Sequence, residues 1–209
     1  LPLDDARVYR LFQEGKTEAV FQFESRGMQG MLRDAKPTRL EDLIALNALY
    51  RPGPIAFIPL YIERKHKPEL VTYLDPALES ILKRSYGVLV YQDDLLFCTI
   101  YLAGYTWLEA DKFRKAVGKK IPAEMQAQKE KLLKGFVELG LSEKKSQTLW
   151  SLIEPFAAYG FNKAHAASYG RVAYQTAYMK ANFPAIYMSA VLTAESGNVE
   201  MIAEIINEC

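Results

Sequence analysis

The sequence predicts a mainly α protein, a multi-helix fold with at most short extended segments. Three observations carry that prediction. Thr38–Glu41 and Thr106–Glu109 have the spacing of capping boxes, in which each side chain satisfies the other residue's backbone amide. Leu43, Leu46, Leu49 and Tyr50 recur at the spacing of one buried helix face. Prolines and glycines fall where helices should begin and end, with Pro122 as a first helical residue and Gly140 as a terminator.

Taken in order, Asp4 or Asp5 caps a first helix through Phe12, and Gly15 ends it. Thr17–Phe23 alternates enough to read as a short extended piece. Ser25 opens a helix to about Asp34, and the Thr38 helix runs to Arg51–Pro54, where proline lacks the amide needed to continue. Further helices are expected over 56–65 and 75–83, and 87–90 reads as extended. The chain continues with helices over 92–103, 106–117, 122–139, 142–158 and 162–182, with Gly118 ending the second of these. Phe183-Pro184 forces a break, and a last pair covers 185–195 and 199–208.

At 209 residues the chain is long enough for one substantial core, so a single helical domain over 1–209 is expected. Half the residues are hydrophobic, which argues against disorder. No apolar run approaches the roughly 18–20 residues needed to cross a bilayer, so no membrane partner is expected. Cys98 and Cys209 form no disulfide framework or metal pattern and fit a reducing, cytoplasmic location. His66 and His165 are too few and too far apart to nominate a zinc site. The chain starts at Leu1 and stops at Cys209 inside a predicted helix, which suggests a fragment of a longer protein.

Two segments carry unusual chemistry. In Phe156–Gln175 a helical projection puts Asn162, His165 and Tyr169 on one side, with Ala166, Gly170 and Ala173 beside them and Lys163 and Tyr174 at the edge. Rings that can stack, a cation and a floor of small residues suit a nucleotide or a nucleic-acid end. A tight helix pair built from small residues, with its tyrosine hydroxyls satisfied locally, would give the same pattern. In the second segment Lys112, Arg114, Lys115, Lys119 and Lys120 occur with no acid between them, in a chain with 26 Lys+Arg against 25 Asp+Glu. This local positive field suits phosphate, although cations in a last turn also complement the helix dipole.

Six stretches in order, TEAVFQFESRGM (17–28), LIALNALYRPGP (43–54), YGVLVYQ (86–92), LAGYTWLEADKFRKAVGKK (102–120), YGFNKAHAASY (159–169) and YQTAYMKANFPA (174–185), are spread along most of the chain. On them the chain resembles the alpha subunit of bacterial replicative DNA polymerase, the C-family or polymerase III type, in the region of its fingers domain. The resemblance implies that Arg114, Lys115, Lys119, Lys120 and Lys163 lie near the incoming triphosphate. It also implies that Asn162, His165, Tyr169 and Tyr174 lie near the nascent base pair, with Arg51 and Arg26 as further candidates. The implied partners are primer-template DNA, deoxynucleoside triphosphates and, for the longer protein, a sliding clamp and clamp loader.

The catalytic Mg²⁺ ions of that family are held by palm aspartates that precede this segment. No catalytic or metal-binding residue is expected here, and the fragment alone is expected not to polymerise. The carboxylates present, Asp4-Asp5, Asp93-Asp94 and Glu109 with Asp111, are spaced so that neighbours diverge. The sequence departs from the family pattern at Lys115, Asp93-Asp94, Gly170-Arg171 and Ile186. At Lys115 an ammonium replaces a second arginine's bidentate fork. The competing reading is a non-catalytic helical module that binds nucleic acid or protein. Both surfaces are expected to face one pocket.

Overall fold

The computed structural model describes residues 1–119, 122–157 and 160–208. Among these residues the chain forms α-helices joined by turns and short 3-10 segments, with no strand. The one isolated β-bridge pairs Tyr91 with Phe161. The mainly α class read from the sequence holds. The helices group into two compact units, Leu1–Tyr50 with Ala164–Cys209, and Arg51–Lys163.

The first unit begins with α1 (Ala6–Glu14), capped by Asp5, whose carboxylate accepts from the Arg7 amide at 2.8 Å. It ends at Gly15 in the left-handed conformation. Ser25 caps α2 (Arg26–Ala35). In α3 (Leu40–Leu49) the capping acid is Asp42 rather than Glu41: buried Asp42 accepts from the Thr38 amide at 3.0 Å. The helix starts one residue later than the Thr38–Glu41 spacing implies, with Arg39 at the cap, and this moves the third helical position to Asp42. Leu43, Leu46 and Leu49 are fully buried, as expected.

The extended reading of Thr17–Phe23 is overturned. The segment is a run of turns, with Ala19 and Gln22 at φ 59° and 65°. A lone strand would leave its backbone groups without a partner. Here the Thr17 hydroxyl donates to the Phe23 carbonyl at 2.6 Å. The long helix α10 (Lys163–Asn182) ties the turns down: buried Lys180 donates to the carbonyls of Lys16 and Glu18 at 3.1 and 2.8 Å. Thr176 accepts from the Phe21 amide, and Tyr187 of α11 (Pro184–Ala194) donates to the Ala19 carbonyl. The unit ends with α12 (Val199–Glu208).

The second unit holds α4 (Ile58–His66), α5 (Ala77–Leu82), α6 (Gln92–Ala103), α7 (Trp107–Lys119), α8 (Pro122–Glu138) and α9 (Glu143–Ala157). Its core joins Leu95, Cys98 and Leu102 of α6, Phe113 and Val117 of α7, Leu132 and Phe136 of α8, and Trp150, Ile153 and Phe156 of α9. The expected capping box of α7 is formed: the Thr106 amide donates to Glu109 at 2.9 Å and the Glu109 amide to the Thr106 hydroxyl at 3.3 Å. Gly118 does not end α7. The helix runs through it to Lys119, and a Cβ there would meet nothing within 4 Å, so no packing constraint marks the position. Residues 87–90 form no strand.

Candidate nucleotide and nucleic-acid surfaces

The cationic surface lies on α7 in the second unit. Lys112 and Lys115 are exposed, and Arg114 is half-buried. The sequence interval 112–120 contains no acid, but Asp111 stands one residue before it. Its carboxylate accepts from Arg114 Nη2 and Nε at 2.7 and 3.1 Å through one oxygen, and pairs with Lys115 Nζ at 2.6 Å through the other. The cations at i+3 and i+4 are thereby held side by side by one anion. Lys115 first and Arg114 second keep the Asp111 carboxyl below its usual range. Lys112 and Lys115 also line a hollow of about 320 Å³ with Glu124 and Gln128 of α8. The Lys119 side chain and Lys120 lie outside the described residues.

A second cluster in the same unit forms where residues 160–163 meet the start of α6. The Gln92 amide donates to the Phe161 carbonyl at 2.9 Å, and the Lys163 amide donates to Asp93 at 3.3 Å. The carboxylate of Asp93 thus sits at the first turn of α10, where the helix dipole favours negative charge. Lys163 Nζ lies 5.3 Å from the Tyr91 ring centre, and the Arg51 guanidinium 4.6 Å from that of Phe161. These are cation–π distances. Partial burial lowers the Arg51 pKa. Asn162 is exposed beside them. Buried Asp94 accepts from the amides of Val90 and Tyr91 at 3.0 and 2.9 Å. Desolvation pushes its carboxyl up to about 6 against these bonds and the Lys163 charge.

The ring-bearing surface belongs to the first unit. His165 and Tyr169 are 4.1 Å apart between ring centres, and Tyr169 is 5.1 Å from Phe21 in the turn segment. The small residues beside them are occupied. Ala166, Gly170 and Ala173 are buried, and a Cβ on Gly170 would lie 2.8 Å from Cγ1 of Ile44 in α3. The floor is therefore a close helix–helix contact rather than an open slot. Tyr174 is fully buried against Tyr9, with ring centres 5.6 Å apart, and its hydroxyl accepts from the Asp5 amide at 3.0 Å. It positions α10 and offers no open face. Arg26 is exposed at the first position of α2.

Of the carboxylates considered for metal binding, Asp5, Asp93, Asp94, Glu109 and Asp111 have other partners. Asp5 caps α1, Asp93 meets α10 and Asp94 caps α6. Glu109 completes the α7 box and accepts from Lys131 at 2.7 Å, which, with the Thr106 bonds, pulls its carboxyl down to about 2. Among the described residues no group of three His, Cys, Asp or Glu side chains could hold a metal ion, and no helix is long and apolar enough to cross a membrane. Phe21, Tyr91 and Phe161 lie at these candidate surfaces without being singled out by the sequence reading, which names Asp111 only among the carboxylates weighed for metal binding. Only Asp111 carries a legible signal, its i+3 and i+4 spacing to two cations.

Residues 1–140 match the family described as the bacterial DNA polymerase III alpha subunit finger domain. The chain is 50% identical over 198 residues to a DNA polymerase III subunit alpha of Treponema pallidum, covering 95% of this chain and 17% of that protein. It is 48% identical to the Aquifex aeolicus protein of that name, over 95% of this chain and 17% of that protein, and 44% identical to the Chlamydia pneumoniae one, over 100% and 17%. The chain thus spans about a sixth of the length of these relatives, whose alignments also take in α10, beyond the region that the family match covers.

Proposed function

Since the chain belongs to the bacterial DNA polymerase III alpha subunit finger family, we propose that it is the nucleotide-handling part of a DNA-directed DNA polymerase, binding the incoming deoxynucleoside triphosphate and the primer-template. The observation that carries this reading is the α7 cation pair, with Arg114 and Lys115 side by side on one carboxylate in a helix that also bears exposed Lys112. A triphosphate brings several negative charges to one place. Cations already oriented on a rigid helix stabilise that charge with little further ordering.

Arg114, Lys115, Lys119 and Lys120 take the triphosphate, with Lys163 as a further cation. Asn162, His165 and Tyr169 face the nascent base pair or DNA. Their rings, together with Phe21, supply stacking surface. Arg51 and Arg26 are further DNA contacts. Tyr174 acts by fixing α10 against α1 through Tyr9 and Asp5. The Asp111 carboxylate exchanges its place on the cations for phosphate oxygens when nucleotide binds. Mg²⁺, which activates the primer hydroxyl and stabilises the leaving oxygens in such enzymes, is held by aspartates outside this chain. Replicase subunits such as a sliding clamp and clamp loader join the longer protein, which works in the cytoplasm.

The test is Arg114→Ala in the intact polymerase, followed by steady-state nucleotide incorporation. Losing a charge-assisted phosphate contact of about 1.5–3 kcal/mol predicts a roughly ten- to hundredfold fall in kcat/KM for nucleotide. Unchanged apparent nucleotide affinity together with unchanged turnover removes Arg114 from the phosphate site.

A further inference from the structure

Three aromatic rings in the second unit are left on the surface where α6 ends and α7 begins. Phe97 and Tyr101, one turn apart on α6, are stacked at 5.8 Å with planes 16° apart. Trp107, the first residue of α7, meets Phe97 edge-on at 5.8 Å. Tyr101 is 59% exposed and Trp107 62% exposed, whereas the other tryptophan, Trp150, is 3% exposed in the core. Burying large rings is strongly favoured in water, so two exposed rings packed on a half-buried third, Phe97, are an unusual surface. None of these rings belongs to the phosphate or base-pair surfaces.

The same helix carries the cations further along, with Asp111, the carboxylate shared by Arg114 and Lys115, between them and the indole. Arg114 follows Trp107 by seven residues, which returns it to within about 20° of the same face and about 10 Å further along the axis. One helix therefore presents an open indole at its start and cations two turns later. Flat π faces next to a positive field are what single-stranded nucleic acid requires, because unpaired bases stack while the backbone is drawn by charge. A protein partner would gain from the rings but has no need of the adjoining cations.

We propose that Phe97, Tyr101 and Trp107 form a stacking platform for unpaired bases of a single strand, in a polymerase the unpaired template ahead of the primer end. The proposal rests on the reading of the chain as the template- and nucleotide-handling part of a polymerase. The rings provide the stacking, and the α7 cations provide the field that guides the strand without being its fixed ligands. Because the interaction uses base faces, it is insensitive to base identity.

The experiment measures equilibrium binding of the intact polymerase to primed templates carrying a long unpaired overhang, a two-nucleotide overhang, or a long overhang of abasic sites. Trp107→Ala and Tyr101→Ala remove rings that are already more than half exposed, so folding is spared. Each should weaken binding to the long natural overhang about tenfold, the change that roughly 1.4 kcal/mol of lost stacking gives. Neither should affect the short or abasic overhangs, and Trp107→Phe should restore most of the loss. Equal weakening on all three templates, or no change on any, overturns the platform, the latter pointing to a protein partner for the patch. Arg114→Ala, read by nucleotide kcat/KM on the short overhang, reports separately on the phosphate reading. An inert Arg114→Ala with an overhang-selective Trp107→Ala would leave the platform standing while the nucleotide assignment fell.

Discussion

Replacing Asp94 by Asn should change how the second unit's stability responds to pH. Asp94 is 3% exposed at the start of α6, and desolvation raises its carboxyl from 3.8 in the unfolded chain to about 6. Between these values the folded state holds a proton that the unfolded state has released. Stability therefore falls as pH rises through this window and is flat above it. Roughly two pKa units correspond to about 3 kcal/mol. Asn keeps an oxygen to accept from Val90 and Tyr91 and does not titrate. The difference in unfolding free energy, Asp94→Asn variant minus wild type, should thus rise by roughly 2 kcal/mol from pH 4 to pH 7, most of that total. The assay is urea denaturation at pH 4, 5, 6 and 7, read from tryptophan fluorescence, to which buried Trp150 of the second-unit core contributes the change on unfolding. Groups shared by both proteins, such as Glu109 and Asp111, cancel in the difference. A difference that stays constant with pH, or falls, refutes the claim that Asp94 is buried at a cost to its charged form.

Asp111→Asn should leave α7 folded, because the two ion pairs it breaks are partly exposed and lie within one helix, and should raise affinity for primed DNA at low salt by less than tenfold. Titration of fluorescence anisotropy against salt checks this, with the gain vanishing as screening grows. Lys180→Met should cost about 2 kcal/mol by leaving the Lys16 and Glu18 carbonyls without their donor. It should also speed amide exchange around Phe21 more than around α2, which hydrogen-exchange mass spectrometry can resolve.

The helices are readable because their signals are local. Ser25, Gly15, Pro122 and the Thr106–Glu109 pair act within four residues of themselves, and each marks the boundary it predicts. The misreadings arise where distant partners decide. Thr17–Phe23 alternates like a strand, but Lys180, Thr176 and Tyr187, more than 150 residues away, supply the partners that make turns the better solution. Tyr174 sits at the edge of a helical projection, yet α1 closes over it. Gly118 looks like a terminator only if the helix has nothing to gain by continuing. The cations on α7 are legible as a cluster, and the i+3 and i+4 spacing of Asp111 to Arg114 and Lys115 is legible too, but a run of cations counted from Lys112 begins one residue too late to include it. The ring contacts of Phe21, Tyr91 and Phe161 join segments far apart in the chain, and no periodicity announces them.

The central claim is that the α7 cations meet phosphate rather than base or sugar. Competitive inhibition of the intact polymerase by a nucleoside monophosphate, diphosphate and triphosphate of one base, in wild type and the Arg114→Ala variant, addresses it most directly. The variant's penalty should be near zero for the monophosphate and grow with each added phosphate. A penalty equal for all three nucleotides would place Arg114 away from the polyphosphate and contradict the account.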